Sequence, residues 1–396
     1  MDANLELARK HFFMGVEHFE AGRLTDARAA FEASLAVAPG RPSVLVNLGI
    51  TLHRLGQYHE AIPLLRQAAD AEPDQADAWT FLGLAHQALG QWQPALGALA
   101  PALRLQPNDA RLWLAYGRCH LQLGAVDAAL QAFERATGAD AQCAEAWSER
   151  GGLLRELHRL DEAAHCFDQA LALGAEPELH RYYLASVRAG AAPAAPPRRY
   201  VEALFDQYAS DFEEHLVDKL HYQAHETLLR PLIEAGRRYG TVLDLGCGSG
   251  LCGALIGPHA TAVDGVDLSQ AMLAQARRRG VYRQLVHADL VAYLAECAPG
   301  AELVLAADVF IYVGDLAPIF GPVRRLLSPG GCFAFTVELA ADGQEVQLLP
   351  SLRYAHAESY VRRLAQEHGF RVRELRSAPL REDQAQPVAG LYVYLD

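Results

Sequence analysis

A period of 34 residues runs through the first half of the chain and limits its possible folds more than any other feature. Glycine recurs at this spacing, and so do an alanine and the bulky residue that follows each alanine by four positions. The glycines are Gly15, Gly49, Gly83, Gly117 and Gly151, the alanines Ala27, Ala61, Ala95, Ala129 and Ala163, and the bulky residues Phe31, Leu65, Leu99, Phe133 and Phe167. A fixed period of this length indicates stacked supersecondary units, each burying its apolar face against its neighbours.

Each unit is predicted to be a pair of antiparallel helices. Small residues allow two helices to cross closely, and large residues fill the space beside the crossing. A second glycine series, seven residues after the first, predicts the turn between the helices: Gly22, Gly56, Gly90 and Gly124. The segment Trp79-Thr-Phe-Leu-Gly83, followed by Ala95, Leu99, Ala102 and Pro107, resembles the tetratricopeptide repeat (TPR). The resemblance implies an all-α solenoid over residues 8–177 that binds a protein partner on its concave face.

The end of the array is predicted from composition. Residues 178–189 are expected to form the capping helix that covers the last repeat. Residues 189–197 then read Ala-Gly-Ala-Ala-Pro-Ala-Ala-Pro-Pro, without charge or periodicity, which is typical of a semi-rigid linker. The expected organisation is therefore a TPR solenoid over 1–190, a linker over 191–198 and a second domain over 199–396.

Short apolar runs alternate with helical patterns in the second domain. This alternation predicts an α/β fold with a mostly parallel sheet of seven strands, covered by helices on both faces. The predicted strands span 242–245, 262–266, 284–287, 303–307, 332–337, 370–375 and 390–395. Ligands of such folds bind at the carboxyl ends of the strands.

An acidic residue stands at or near the carboxyl end of each of the first four predicted strands: Asp244, Asp267, Asp289 and Asp308. The first is followed by the glycine-rich turn Gly246-Cys-Gly-Ser-Gly250, where backbone N–H groups can approach a ligand closely. An acid at the position of Asp267 can accept both hydroxyls of a ribose. Because an unpaired buried carboxylate is costly, four in a row favour a binding site over a structural role.

Four segments in this order resemble the class I S-adenosylmethionine-dependent methyltransferases. They are Val-Leu-Asp-Leu-Gly-Cys-Gly-Ser-Gly (242–250), Gly-Val-Asp-Leu-Ser-Gln-Ala-Met-Leu (265–273), His-Ala-Asp-Leu (287–290) and Leu-Ser-Pro-Gly-Gly (327–331). The resemblance implies a Rossmann-like domain and S-adenosylmethionine as cofactor. It further implies that Gly246, Cys247 and Gly248 back the methionyl part while Asp267 holds the ribose. Leu268, Met272, Asp289 and Leu290 would surround the adenine, Asp244 would orient the amino group through water, and Tyr208 would touch the methionyl end.

Two other functions remain open from the sequence. A nicotinamide-dependent oxidoreductase would carry the pattern G-x-G-x-x-G, but position 251 is leucine. A protein that binds the cofactor without turnover, and whose repeats mediate protein contacts, would carry the same motifs.

The methyl acceptor is not specified by any motif. Asp308, His215 and His356 are candidate general bases, and Tyr312 is a candidate for orienting the acceptor. The segment that begins at Asp308 reads Asp-Val-Phe-Ile-Tyr, which departs from the N-P-P-Y motif of adenine and glutamine methyltransferases. The acceptor is therefore expected to be another small molecule or a protein.

Composition excludes several classes of partner. The net charge of −13 argues against nucleic acid, and no run of apolar residues is long enough to predict a membrane span. The seven cysteines form no C-x-x-C pair and no metal-ligand cluster, so no metal site is predicted. The chain is expected to be cytoplasmic, with a protein bound to its repeats.

Overall fold

The computed structural model describes residues 3–188, 190–208, 222–341, 343–383 and 386–396. The chain divides into two units, Met1–Ala175 and Glu176–Asp396. Among the described residues, no helix combines the length and the apolar character needed to cross a bilayer.

The described part of the first unit consists of helices, two for each predicted repeat. They are α1 (Ala3–Glu20), α2 (Leu24–Val37), α3 (Pro42–Arg54), α4 (Tyr58–Ala71), α5 (Ala76–Ala88), α6 (Trp92–Leu105), α7 (Ala110–Gln122), α8 (Val126–Ala139), α9 (Ala144–Glu156) and α10 (Leu160–Ala172). The turn within the first repeat contains Gly22 at φ +75°, a left-handed conformation that favours glycine. The predicted all-α array is confirmed.

The periodic glycines lie where the two helices of a repeat cross. A Cβ on Gly83 would come within 2.6 Å of Cγ of Leu99, and a Cβ on Gly15 within 2.5 Å of the Phe31 ring. Leu99 and Phe31 are fully buried. The predicted pairing of a small residue with a bulky one is therefore confirmed at these crossings, because any side chain at the glycine would occupy the same space.

Substituting these glycines tests the crossing directly. We expect Gly83→Ala to destabilise the first unit by about 1–3 kcal/mol through overpacking against Leu99. Gly97→Ala in α6 is the matched control, because nothing lies within 4 Å of its added Cβ, and it should stabilise by about 0.5–1 kcal/mol. The four tryptophans all lie in the first unit, so denaturant unfolding followed by tryptophan fluorescence measures both effects. Equal stability of the two variants would contradict the crossing.

The described part of the second unit contains a sheet of nine strands. These are β1 (Tyr239–Leu245), β2 (Ala260–Asp267), β3 (Gln284–His287), β4 (Ala301–Ala306), β5 (Leu327–Leu339), β6 (Val346–Leu348), β7 (Tyr354–His356), β8 (Val372–Asp383) and β9 (Gln386–Leu395). Strands β3, β2, β1, β4 and β5 are neighbours in that order and parallel, and β9 and β8 continue the sheet antiparallel. The seven predicted strands and the Rossmann-like class are confirmed. The short strands β6 and β7 were not predicted; they pair with each other, and β7 extends along the end of β5.

Helices cover both faces of the sheet. They are α11 (Pro177–Val187), α12 (Arg198–Tyr208), α13 (Ala224–Glu234), α14 (Leu251–Ile256), α15 (Gln270–Arg278), α16 (Leu290–Glu296), α17 (Ala317–Leu326) and α18 (Glu358–Glu367). On β4, Val304 belongs to the core beneath α17 and α18, whereas Leu303 and Leu305 belong to the core beneath α13 and α14. Because both of its faces are buried, β4 is almost entirely apolar, and a polar side chain just after its carboxyl end, such as that of Asp308, is exceptional.

The boundary between the units differs from the predicted one. Helix α11, expected to cap the repeats, lies in the second unit. Its Tyr182 is buried among Leu348, Leu352 and Tyr354, and its hydroxyl donates to the carbonyl of Leu352 at 2.8 Å. The Ala/Pro stretch is also bonded to the second unit, since the carbonyl of Ala194 accepts from two backbone N–H groups, those of residues 314 and 315, at 2.9 Å. These contacts place residues 176–188 and 190–198 with the second unit.

Candidate functional site

The glycine-rich turn follows β1 and is held tightly against the end of β4. Gly246, Gly248 and Gly250 all have positive φ, at +62°, +53° and +89°. A Cβ on Gly246 would lie 2.6 Å from Cγ2 of Val309, whereas a Cβ on Gly248 would meet nothing within 4 Å. The turn thus requires glycine for its conformation at these positions and, at Gly246, also for close packing.

Asp267 at the end of β2 is fixed by backbone groups from two sides. Its Oδ2 accepts from the N–H of Gly248 at 2.8 Å, and its Oδ1 accepts from the N–H of Ser269 at 2.8 Å. Burial raises the pKa of Asp267, although these bonds act in the opposite direction. The carboxylate therefore connects the glycine turn to the start of α15 and faces the cavity between them.

Asp244 lies beneath the glycine turn and is fully buried. Burial raises the pKa of Asp244 to about 7, even though the hydroxyl of Tyr282 donates to its Oδ2 at 2.7 Å. Tyr282 follows α15 and packs against Gly253 and Gly265. This tyrosine was not predicted, because no sequence pattern connects it with Asp244.

Asp289 precedes α16 and caps it. Its Oδ1 accepts from the N–H groups of Val291 and Ala292 at 2.9 and 3.1 Å. Asp289 and Leu290 line the same cavity as Leu268. Met272 does not line it: this residue is buried on α15, where its N–H donates to Oγ of Ser269.

A single cavity of about 420 Å³ joins the carboxyl ends of β1, β2, β3 and β4. The predicted residues that line it are Asp244, Gly246, Cys247, Gly248, Asp267, Leu268, Asp289, Leu290, Asp308 and Tyr312. Helix α12 and the residues before it form another wall, with Pro196, Val201 and Phe205. Its Asp206 accepts from the hydroxyl of Ser269 at 2.6 Å, which ties this wall to α15.

Asp308 is held in a strained conformation at the end of β4. Its φ is +57°, which is uncommon for a residue with a side chain. Its N–H donates to Oγ1 of Thr336 at 2.8 Å, and Nη1 of Arg381 donates to both carboxylate oxygens at 3.0 and 3.2 Å. Arg381 is also paired with Glu338, which is likewise buried. Burial alone would lower the pKa of Arg381, but the two carboxylates raise it overall.

Two tyrosines flank Asp308 in the cavity. Burial raises the pKa of Tyr312, while Arg353, hydrogen-bonded to its hydroxyl, lowers it. The Phe205 ring of α12 contacts Tyr312 edge to face, with centroids 5.1 Å apart. Tyr222 stacks on His225 with centroids 5.2 Å apart and an interplanar angle of 10°. Burial raises the pKa of Tyr222, and the carboxylate of Asp308 adds to the shift.

The remaining predicted residues are not brought to the cavity by the described structure. His356 is buried in β7, where Nε2 pairs with the carbonyl of Gly314 at 3.0 Å and the ring stacks on Tyr360. Burial lowers the pKa of His356 to about 4. Because it points into the core, it is not placed to act as a base. His215 and the side chain of Tyr208 lie outside the described residues.

Several lining residues were not predicted as part of the site, namely Ser249, His225, Arg353 and Arg381. Ser249 is in the glycine turn itself, and its hydroxyl could have been recognised as a ligand contact. His225 and Arg381 come from α13 and β8, which flank the motifs in the sequence, and only the fold brings them to the cavity.

Comparison with protein families divides the chain in the same way as the structure. Residues 243–333 match the family described as Methyltransferase domain. Residues 18–85, 82–144 and 126–176 match families described as Tetratricopeptide repeat. The first match spans the glycine turn and the four acidic strand ends, and the others span the repeats.

Comparison with individual proteins gives matches for each unit. The chain is similar to the malonyl-[acyl-carrier protein] O-methyltransferase of Salmonella typhimurium, with 30% identity over 182 residues, 44% of this chain and 68% of the relative. It is also similar to the dimethylglycine N-methyltransferase of Parasynechococcus marenigrum, with 34% identity over 28% of this chain and 41% of the relative.

Other malonyl-[acyl-carrier protein] O-methyltransferases are covered over 53–58% of their length, so the chain spans about half to two thirds of the curated relatives of this kind. Among solved structures, a crystal structure of MamA matches with 25% identity and a TM-score of 0.39, over 40% of this chain and 94% of MamA.

Proposed function

The chain belongs to the S-adenosylmethionine-dependent methyltransferases, and from this premise we propose that its second unit binds S-adenosylmethionine in the cavity and transfers the methyl group to an acceptor at the Asp308 end. The observation that carries the proposal is the position of Asp267. Its carboxylate bridges the glycine turn and the start of α15 and lines the cavity.

The polar groups of the cavity fit this cofactor. The Oγ of Ser249 is buried and has no hydrogen-bond partner in the described structure, so a polar ligand atom would satisfy it. The space next to Gly248 is open, which suits a ligand lying against the backbone. Three carboxylates on this side, those of Asp244, Asp267 and Asp289, suit a ligand with hydroxyl and amino donors.

The roles of individual residues are proposed from the family resemblance. Gly246, Cys247 and Gly248 would lie along the methionyl part, with Asp244 directed to its amino group. Asp267 would accept from the ribose hydroxyls. Leu268, Leu290 and Asp289 would enclose the adenine, whereas Met272 would need a rearrangement of α15 to reach it.

The chemistry that S-adenosylmethionine supplies is a methyl group on a positively charged sulfur. The protein then has to hold the acceptor atom in line with that methyl group and exclude water. Phe205 and Tyr312 are in contact over the cavity and are suited to exclude water. Asp308 and Tyr312 offer polar groups that can orient the acceptor.

Calorimetric titration with S-adenosylmethionine tests the assignment. We expect Asp267→Ala to weaken binding at least about tenfold, since it removes a charge-assisted contact to the ribose. Asp264→Ala is the matched control: the residue lies three positions earlier on β2 and pairs with Arg283 away from the cavity. Affinity should be unchanged in this control. Equal affinities of all three proteins would refute the proposed site.

We also propose that the repeats bind a protein, either the methyl acceptor itself or a protein that delivers it. The concave face of such an array is formed by the first helix of each repeat, and on α7 the guanidinium of Arg118 is already paired with Glu145 and Glu149 at 2.6 Å. The positive charge of Arg118 is therefore neutralised. This favours a partner recognised by shape and hydrogen bonding over one recognised by negative charge.

A further inference from the structure

We propose that the acceptor atom carries a proton, as a hydroxyl or amino group, and that Asp308 and His225 bind it. The alternative is a carboxylate acceptor, which needs no base. This inference rests on the proposed function and deepens it by naming the class of acceptor. It is carried by the buried ionic cluster at one end of the cavity and by the imidazole of His225, which lines the same cavity.

The carboxylate of Asp308 is held in one position by a constrained backbone and by an ion pair, in addition to packing. A left-handed φ at a residue with a side chain costs energy and persists only where the surroundings enforce it, which happens mainly at functional sites. Here Thr336 fixes the backbone and Arg381 fixes both carboxylate oxygens. Arg381 also pairs with Glu338, which does not line the cavity. The cluster therefore presents one rigid carboxylate, that of Asp308, to the cavity.

The charges at this end of the cavity are already balanced. Arg381 and Arg353 face Asp308 and Glu338, so two positive groups meet two negative ones. A carboxylate acceptor would place a second negative charge beside the carboxylate of Asp308, whose arginine partner is already shared with Glu338, and like charges this close repel each other. A hydroxyl or amino group instead donates a hydrogen bond to Asp308 and adds no negative charge.

His225 provides a proton acceptor in the wall of the same cavity. It is buried, lines the cavity, and its Nδ1 has no hydrogen-bond partner within the described residues. Its ring stacks on Tyr222, which is near enough to Asp308 to respond to its charge. Burial lowers the pKa of His225, with opposing contributions from Glu226 and Arg279. The imidazole is therefore neutral near pH 7 and can accept a proton on Nδ1 when Nε2 carries the other.

With these groups, every bond and proton of the methyl transfer is accounted for. The lone pair of the acceptor oxygen or nitrogen forms the bond to the methyl carbon. The carbon–sulfur bond breaks, and its electron pair remains on the sulfur, which loses its positive charge. The proton of the acceptor passes to Nδ1 of His225, while Asp308 keeps the acceptor aligned during the displacement.

The stability of the transferred label distinguishes the acceptor classes without prior identification of the acceptor. The full chain is incubated with S-adenosylmethionine carrying a tritiated methyl group and with fractionated cell extract, and the products are treated with mild alkali. Methyl ethers and methylamines survive alkali, whereas methyl esters release volatile methanol. We expect the label to be stable. Release as methanol would overturn the inference and leave the proposed function standing, whereas no label in any fraction would contradict both.

Two substitutions test the residues named. We expect Asp308→Asn and His225→Gln each to slow incorporation by about 10²–10⁴-fold while changing the affinity for S-adenosylmethionine less than about threefold. Glu226→Gln, an exposed neighbour of His225 on α13, is the control and should retain the rate. The wild-type rate should fall towards low pH as His225 is protonated, and His225→Gln should lose this dependence. Unchanged rates in both site variants, or the same pH dependence in His225→Gln, would overturn the assignment.

Discussion

Replacing Arg381 with methionine is expected to lower the free energy of unfolding of the second unit by about 3–5 kcal/mol. The side chain is 1% exposed and compensates both Asp308 and Glu338. Without it, Asp308 and Glu338 lose the cation that pairs with both of them, while their carboxylates stay largely buried. Calorimetric unfolding of the full chain should show the transition of the second unit at lower temperature. Tryptophan fluorescence, which reports only the first unit, should be unchanged.

A second substitution separates lost charge compensation from lost packing. Combining Arg381→Met with Glu338→Leu removes one of the stranded carboxylates, so we expect it to recover a substantial part of the lost stability. The surface counterpart is Arg371→Met: this arginine is 81% exposed and pairs with Asp396, so its loss should cost less than about 1 kcal/mol. If the double variant were no more stable than Arg381→Met alone, charge compensation would not be the source of the effect.

Two of the three glycines of the turn, Gly246 and Gly248, are expected to have different effects when changed to alanine. Gly246→Ala combines a left-handed φ with a Cβ 2.6 Å from Val309, and it should destabilise the second unit by about 2–5 kcal/mol. Gly248→Ala adds only the backbone strain, about 1–2 kcal/mol, because its Cβ enters open space. That space is where we propose the cofactor lies, so Gly248→Ala should keep the fold and lose S-adenosylmethionine affinity by at least about tenfold.

Calorimetric unfolding and titration of both variants measure the difference. The order of stabilities, wild type above Gly248→Ala above Gly246→Ala, depends only on the protein. The loss of affinity in Gly248→Ala depends on the position of the cofactor. A Gly248→Ala protein that binds S-adenosylmethionine normally would therefore contradict the position proposed for the cofactor, while the stability order would still hold.

The parts of the structure that were predictable are those encoded by neighbouring residues. The repeat helices follow from a 34-residue period, and the glycine at each crossing identifies the bulky residue that packs on it. The sheet follows from the alternation of apolar runs and helical patterns. Asp244, Asp267, Asp289 and Asp308 meet in one cavity because parallel strands end at the same edge.

The parts that were not predictable depend on contacts between distant positions. Arg381 lies 73 residues after Asp308, on a strand whose pairing with β9 brings it back to the cavity. His225 precedes β1 and carries no motif. His356 looked like a candidate base because of its residue type, but β7 turns it into the core, where it bonds to Gly314. The position of α11 depended on Tyr182, whose burial against Leu352 no local pattern indicates.

The packing of residues 176–188 and 190–198 against the second unit affects how such a chain can be assembled from simpler genes. A recombination event within the Ala/Pro stretch would separate Tyr182 from its pocket and remove Pro196, part of the cavity wall, from its support. A crossover near residue 175 would leave the catalytic unit complete. Repeats could then be gained, lost or exchanged upstream of that point while the chemistry downstream was inherited unchanged.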